Sequence, residues 1–238
     1  MSSIERRVVM ITGSAGNLGR VVAQTFLEAQ ASLVLIDRAA DRLAHLFPEL
    51  VNSRDHFLAQ SVDLTDANAV AETVAETLRR FDRIDALINA AGGYRAGSSV
   101  DATPLEDWEF LFNLNARSVF VISRAVIPAM RRQGHGKIIN VASRSALRGE
   151  ANAALYSASK SVVVRLTESM AAELRDAGVN VNCVLPGIID TPENRKAIPE
   201  ADFTRWVTPE SLAQVMVFLA SDAAREITGA AVPVYGRS

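Results

Sequence analysis

Tyr156 and Lys160 stand four apart in Tyr156-Ser-Ala-Ser-Lys160, within a stretch, residues 153–177, whose pattern predicts one long helix. On a helix, positions i and i+4 share a face, with Cβ atoms about 6 Å apart. A phenol with a pKa of about 10 is idle as an acid or base at neutral pH. An ammonium ~4 Å away, at an effective dielectric of ~20, favours the phenolate by about 4 kcal/mol. That energy corresponds to roughly three pKa units. Such a pair can pass a proton to or from a reacting oxygen near neutrality, provided a reactive centre lies beside it. The plain alternative is a surface pair on an amphipathic helix. Only three of the 25 Lys and Arg residues are lysine, so Lys160 does not belong to a lysine-rich surface.

The elements that must position this pair alternate along the chain. Short apolar or β-branched runs at 7–12, 32–37, 56–62, 85–89, 137–143, 180–185 and 231–235 predict strands buried on both faces. Between them, helical spacing of apolar residues predicts helices at 18–29, 41–51, 66–81, 104–132, 153–177 and 209–221. Within 104–132, Pro128 is expected to kink or end the last turns. Strict βαβα alternation argues for an α/β fold with one parallel sheet of about seven strands and helices on both faces. No repeat, low-complexity tract or linker marks a second domain, so residues 1–238 are read as one.

Bulk properties narrow the function. A net charge of −2 with mixed signs offers no nucleic-acid or membrane surface. No run of 18 or more consecutive apolar residues is present, and Met1-Ser-Ser-Ile-Glu-Arg-Arg7 leads into no signal-peptide apolar segment. The single cysteine, Cys183, lies in an apolar strand and is expected to be a buried thiol in a reducing compartment. A cytoplasmic protein is the expectation.

The first turn, Thr12-Gly-Ser-Ala-Gly-Asn-Leu-Gly19, follows a strand and opens a helix. Gly13, Gly16 and Gly19 depart from the G-x-G-x-x-G spacing, but the setting suits a pyrophosphate cradle, in which free N–H groups at a helix N-terminus meet the anion. Ala15, Asn17 and Leu18 belong to the same turn, and Asn17 suits a left-handed or capping position. A tight strand-to-helix turn is the bland alternative. Asp37 ends the second strand 18 residues past Gly19, where a carboxylate takes the adenosine ribose hydroxyls and repels a 2′-phosphate. NAD(H) is therefore favoured over NADP(H), with Arg38 and Arg20 as the residues that would instead greet the phosphate. Asp63-Leu64 and Asn89-Ala90-Ala91-Gly92 end the next two strands. Small or polar residues thus gather at the carboxyl ends, where ligands of open parallel sheets bind.

With TGSAGNLG at 12–19, Asp63, NAAG at 89–92, Asn115, Ser143 in NVAS, Tyr156-x-x-x-Lys160, Pro186-Gly187 and Thr191 in GIIDT, the chain resembles a short-chain dehydrogenase/reductase over essentially its whole length. The resemblance implies a doubly wound (Rossmann) sheet and hydride transfer between a nicotinamide cofactor and a ketone or secondary alcohol. It implies Tyr156 as general acid–base, Lys160 holding the nicotinamide ribose, Ser143 bonding the substrate oxygen and Asn115 helping a proton-relaying water. Pro186, Gly187, Ile189 and Thr191 would meet the carboxamide. The chain departs from the family at Asn17, which takes the usual second glycine, and at Val-Tyr-Gly-Arg in place of Val-Asp-Gly-Gly near its end.

By the same analogy residues 192–207 form a short substrate lid. Arg95, Arg144 and Arg148 flank the site, either as an anion clamp or as solvent-facing charges, with Glu150 as one partner. An NADPH-dependent 3-oxoacyl reductase and a non-catalytic dinucleotide-sensing protein are the other readings. A dihydropteridine-reductase-like activity shares Y-x-x-x-K but fits the Ser143 register poorly. The apolar surface of the two longest helices predicts a homo-oligomer, a tetramer or a dimer.

Overall fold

The computed structural model describes residues 4–237. The first three residues of the amino-terminal stretch read above lie outside the described residues. The elements run β1 (Val8–Thr12), α1 (Asn17–Glu28), β2 (Ser32–Ile36), α2 (Arg42–Leu46), β3 (Phe57–Ala59), α3 (Ala67–Phe81), β4 (Ala86–Asn89), α4 (Leu105–Phe112), α5 (Ser118–Gln133) and β5 (Gly136–Val141). They continue with α6 (Ala154–Leu174), β6 (Val179–Pro186), α7 (Pro192–Ala197), α8 (Pro209–Ala220) and β7 (Ala231–Val234).

All seven strands join one parallel sheet in the order β3-β2-β1-β4-β5-β6-β7. Successive residues of a strand point to opposite faces, and both faces are apolar here. Val9 and Ile11 of β1 join α1 and α8 through Val22, Phe26, Leu212 and Met216. Val8 and Met10 face α3, α5 and α6 through Val70, Val74, Ile122, Val126, Met130 and Leu174. This two-sided burial is why the strands read as unbroken apolar runs. Pro233 is tolerated in β7 because that strand lies at the sheet's edge.

Strand order reverses between β1 and β4, whose last residues, Thr12 and Asn89, lie side by side. A crevice opens outside the carboxyl ends at such a switch point. Ser143, Gly92 and Gly187 follow β5, β4 and β6 on this same side.

The long helix expected over 104–132 is divided. α4 and α5 are joined by a π-helical turn, Asn113–Arg117, with Asn115 inside it. Pro128 lies within α5, which continues to Gln133. Pro128 and Arg124, whose carbonyl loses its i→i−4 partner, are both solvent-exposed, so water can satisfy that carbonyl. Within residues 105–133, an 18-residue window with a mean hydropathy of 1.3 is long and apolar enough to cross a membrane by composition alone. One face of this helix packs into the core through Ile122, Val126 and Met130, while Leu105, Trp108 and Phe120 stay exposed.

Candidate active site

The Gly-rich turn is built by close approach. A Cβ at Gly19 would stand 2.0 Å from the Gly13 carbonyl oxygen, so α1 meets the turn backbone to backbone. Gly16 caps α1 without a side chain, whereas Asp66 fills the first amides of α3. The α1 terminus thus offers its amides, and its positive dipole end, to an anion. Asp37 stands just past β2 and accepts hydrogen bonds from Ala15 N and Ala39 N, both at 3.0 Å. A carboxylate has about four lone-pair sites, so two remain for ribose hydroxyls. These residues fit a dinucleotide.

Other residues expected at the cofactor divide by position. Asp63 is exposed and accepts from Thr65 N and Oγ1. Those bonds, followed by the charges of Arg38 and Arg117, hold its carboxyl below the usual range. The Asn89 side chain is held within the sheet. It is 1% exposed, donates to Asn140 Oδ1 at 2.8 Å, and ties β4 to β5. Ala91 N donates to Thr12 Oγ1, which fixes the NAAG turn against β1. Thr191 Oγ1 accepts from Asn194 N and caps α7, so part of the stretch expected as a lid is a helix. Ile189 bridges to Val207, and Gly187 N donates to Val234 O.

The four candidate catalytic residues converge. Lys160, 5% exposed, donates through Nζ to the Val141 carbonyl at 2.8 Å. Burial lowers its pKa from the ordinary 10.5 to about 8. Fully buried Asn115 accepts from Gly93 N at 2.9 Å and donates to Gly93 O and Ser159 Oγ, both at 3.0 Å. A Cβ on Gly92 would come within 3.1 Å of both Asn115 Oδ1 and Lys160 Nζ. The absence of a side chain at 92 is what lets lysine and asparagine reach the crevice floor. Ser143 Oγ accepts from Ser145 N at 3.2 Å, and the Ser143 side chain acts on Tyr156 in the direction that favours its ionised form.

Tyr156 does not carry the lowered pKa that the i, i+4 argument predicts. Burial raises it, the Ser143 side chain works the other way, and the nearby Tyr94 and Glu150 add to the rise. With Nζ donating to the Val141 carbonyl and its own charge penalised by burial, Lys160 is not among the groups that lower it. Low dielectric acts on both partners and outweighs the expected attraction.

Tyr94 is a residue that sequence reasoning missed. Its ring meets that of Tyr156 edge-on, with centroids 4.8 Å apart, and it is two-thirds exposed. Its place two residues past NAAG was the only available signal. Arg95 is engaged, bonded to Asp107 Oδ1 at 2.8 Å and stacked 3.7 Å over Phe110. Arg144 lies 5.8 Å over the Tyr235 ring, Arg148 is exposed, and Glu150 accepts from Ser145 Oγ. A separate cleft of about 930 Å³ opens at the amino ends of the strands. Its charges are largely met internally, by Arg7 with Asp222, Arg83 with Asp85 and Lys137 with Asn180.

Residues 7–202 match the family model for short chain dehydrogenase. The chain belongs to that family. The short-chain dehydrogenases similar to it include 3-oxoacyl-[acyl-carrier-protein] reductase FabG of Thermotoga maritima, 32% identical over 98% of each chain. They also include (2S)-[(R)-hydroxy(phenyl)methyl]succinyl-CoA dehydrogenase subunit BbsD of Thauera aromatica, 36% identical over 98% of this chain and 96% of that one. The solved structure of ElxO with NADP bound superposes with a TM-score of 0.88 at 27% identity, over 97% of this chain and 98% of that one. The protein is therefore an NAD(P)-dependent oxidoreductase of the short-chain dehydrogenase class, which moves hydride between a nicotinamide and a carbonyl or alcohol carbon.

Proposed function

We propose that Tyr156 donates and accepts the proton in this transfer, with Ser143 holding the substrate oxygen and Lys160 the nicotinamide ribose. Asn115 fastens the helix turn beside them and helps to hold a relaying water. One observation carries the reading: Lys160 Nζ and Asn115 Oδ1 both lie within 3.1 Å of where a Cβ on the bare Gly92 would stand, while Ser143 acts on Tyr156 one helical turn before Lys160. When bound, the nicotinamide supplies or takes the hydride. The chain's own residues do the rest. In reduction the Tyr156 hydroxyl gives its proton to the developing alkoxide, and the Ser143 hydroxyl donates a second hydrogen bond to it. In oxidation the same phenol oxygen must be free to take a proton from the alcohol.

NAD(H) is the preferred cofactor in this reading. Asp37 supports it, while Arg38, which would otherwise greet a 2′-phosphate, lends its charge to Asp63. The cradle comprises the amides of 13–19, the NAAG backbone and the 186–191 segment. A homo-oligomer, tetrameric in the fullest form, is supported by the exposed Leu105, Trp108 and Phe120. Cys183 is buried, with its thiol pushed up to about 11 by burial, which suits a reducing, cytoplasmic setting.

The substrate is a small ketone or secondary alcohol. Two of the relatives are named for acyl thioesters, which keeps a 3-oxoacyl thioester as the second reading, although Asp37 suits NADPH poorly. The deciding assay follows reduced nicotinamide by its absorbance over ketones, secondary alcohols and a 3-oxoacyl thioester, with each cofactor. Turnover favouring NAD(H) is expected. Tight NADH binding with no turnover on any compound would make the protein a sensor instead.

A further inference from the structure

Asn17 is where the chain replaces its family's glycine, and its side chain has a partner far away in sequence. Nδ2 donates to Glu193 Oε2, 176 residues on. Asn17 is the first residue of α1, at the uncapped amides of the pyrophosphate cradle. Glu193 lies in the first turn of α7, two residues past Thr191. The other bonds of α7 in this region are local: Thr191 caps it, Asn194 Nδ2 donates to Ile189 O, and Arg195 pairs with Asp190. The Asn17–Glu193 bond therefore joins the two walls of the cofactor crevice, the turn after β1 and the helix after β6. A glycine at 17 has no donor that could do this.

We propose that Asn17 and Glu193 form a clasp across the dinucleotide crevice, which holds α7 down and slows the cofactor's departure. The proposal rests on reading the turn at 13–19 as the pyrophosphate cradle. Two effects of Glu193 oppose each other. Its carboxylate accepts the Asn17 hydrogen bond and sits favourably at the positive end of α1. The same charge repels a pyrophosphate arriving at those amides. Both residues are solvent-accessible, so water screens the charge and the directional hydrogen bond is left as the main effect.

Stopped-flow release of NADH from the full-length holoenzyme, for the wild type, Asn17→Ala, Glu193→Ala, their double variant and Glu193→Gln, tests this. Hydrogen exchange over residues 192–197 in the cofactor-free protein gives a second readout. Each alanine variant is expected to speed release about two- to fivefold, the scale of an exposed polar pair, and to speed exchange in α7. The double variant should do no more than either single, and Glu193→Gln, which keeps an acceptor, should stay near wild type. Slower release from both Glu193 variants would overturn the clasp, because the charge would then only repel. Effects that multiply in the double variant, or unchanged release and exchange, would overturn it equally. A wild type that binds neither NADH nor NADPH would instead remove the cradle reading beneath it.

Discussion

Asn115 donates to Ser159 Oγ at 3.0 Å, and Ser159 in turn donates to the Tyr156 carbonyl at 2.8 Å. This relay ties the π-helical turn to the helix that carries both Tyr156 and Lys160. A π turn adds a residue to the helical circuit, and here it brings Asn115 to the Gly93 backbone as well. Asn115→Ala leaves those buried partners unsatisfied and is expected to cost about 1–3 kcal/mol of stability. Its larger effect should fall on kcat rather than on cofactor Kd, because Tyr156 and Lys160 lose their registration. Denaturant titration with steady-state kinetics checks this, and a change in Kd alone would contradict it.

Tyr156→Phe keeps the ring, and with it the edge-on contact to Tyr94, but removes the proton. A positioned acid–base group contributes roughly 10²–10⁴ in rate, so kcat should fall by about that factor. NADH affinity, read by fluorescence titration, should stay put. Loss of less than about tenfold would mean that another group supplies the proton, with Tyr94 the neighbouring phenol.

Ser143→Ala removes the one side chain that works against burial at Tyr156. The phenol is then raised further, so its base form appears only at higher pH. In the direction of alcohol oxidation the ascending limb of kcat/KM should move upward in pH, and the plateau should fall through loss of the oxygen's second donor. A lower plateau with an unmoved limb would leave Ser143 as a substrate anchor alone.

Asp37→Ala removes a carboxylate that both repels a 2′-phosphate and anchors Ala15 N. The ratio of Kd for NADP(H) to that for NAD(H) should fall by about tenfold or more, the scale of one charge–charge contact in partly screened surroundings. Affinity for NAD(H) should fall as well, since the cradle loses its anchor. An unchanged ratio in isothermal titration would assign cofactor choice to other residues.

The sheet was legible because parallel strands buried on both faces are written as plain apolar runs, as in Val8–Thr12 and Ser32–Ile36. The π turn was not, since apolar spacing runs through 104–132 without a break and Pro128 was the only visible disturbance. At Asn89 the strand-end position was legible, but the capture of its side chain by Asn140 on the neighbouring strand was not. The spacing of Tyr156 and Lys160 was read correctly, but the sign of the phenol's shift depends on burial and on the Val141 carbonyl. Tyr94 against Tyr156 and Asn17 with Glu193 are tertiary meetings that no local pattern records.

Lys160 joins catalysis to stability. Its folded pKa is near 8 against an ordinary 10.5, so from about pH 8 to pH 10.5 the unfolded chain binds the proton and the folded one sheds it. Stability from this group therefore rises with pH across that window, and the full cost of burying the ammonium is felt below pH 8. A shift of this size corresponds to about 3 kcal/mol. Lys160→Met should remove that rise and raise stability at neutral pH by up to about that amount, less about 1 kcal/mol for the lost bond to Val141. Lys137 also titrates low through burial, so the wild-type-minus-variant difference is the quantity to follow in denaturant melts from pH 7 to 10.5. The same variant should lose both turnover and NADH affinity, because the ammonium that holds the ribose is gone. Greater stability with turnover lost but NADH affinity intact would confine Lys160 to the chemistry and remove its ribose role.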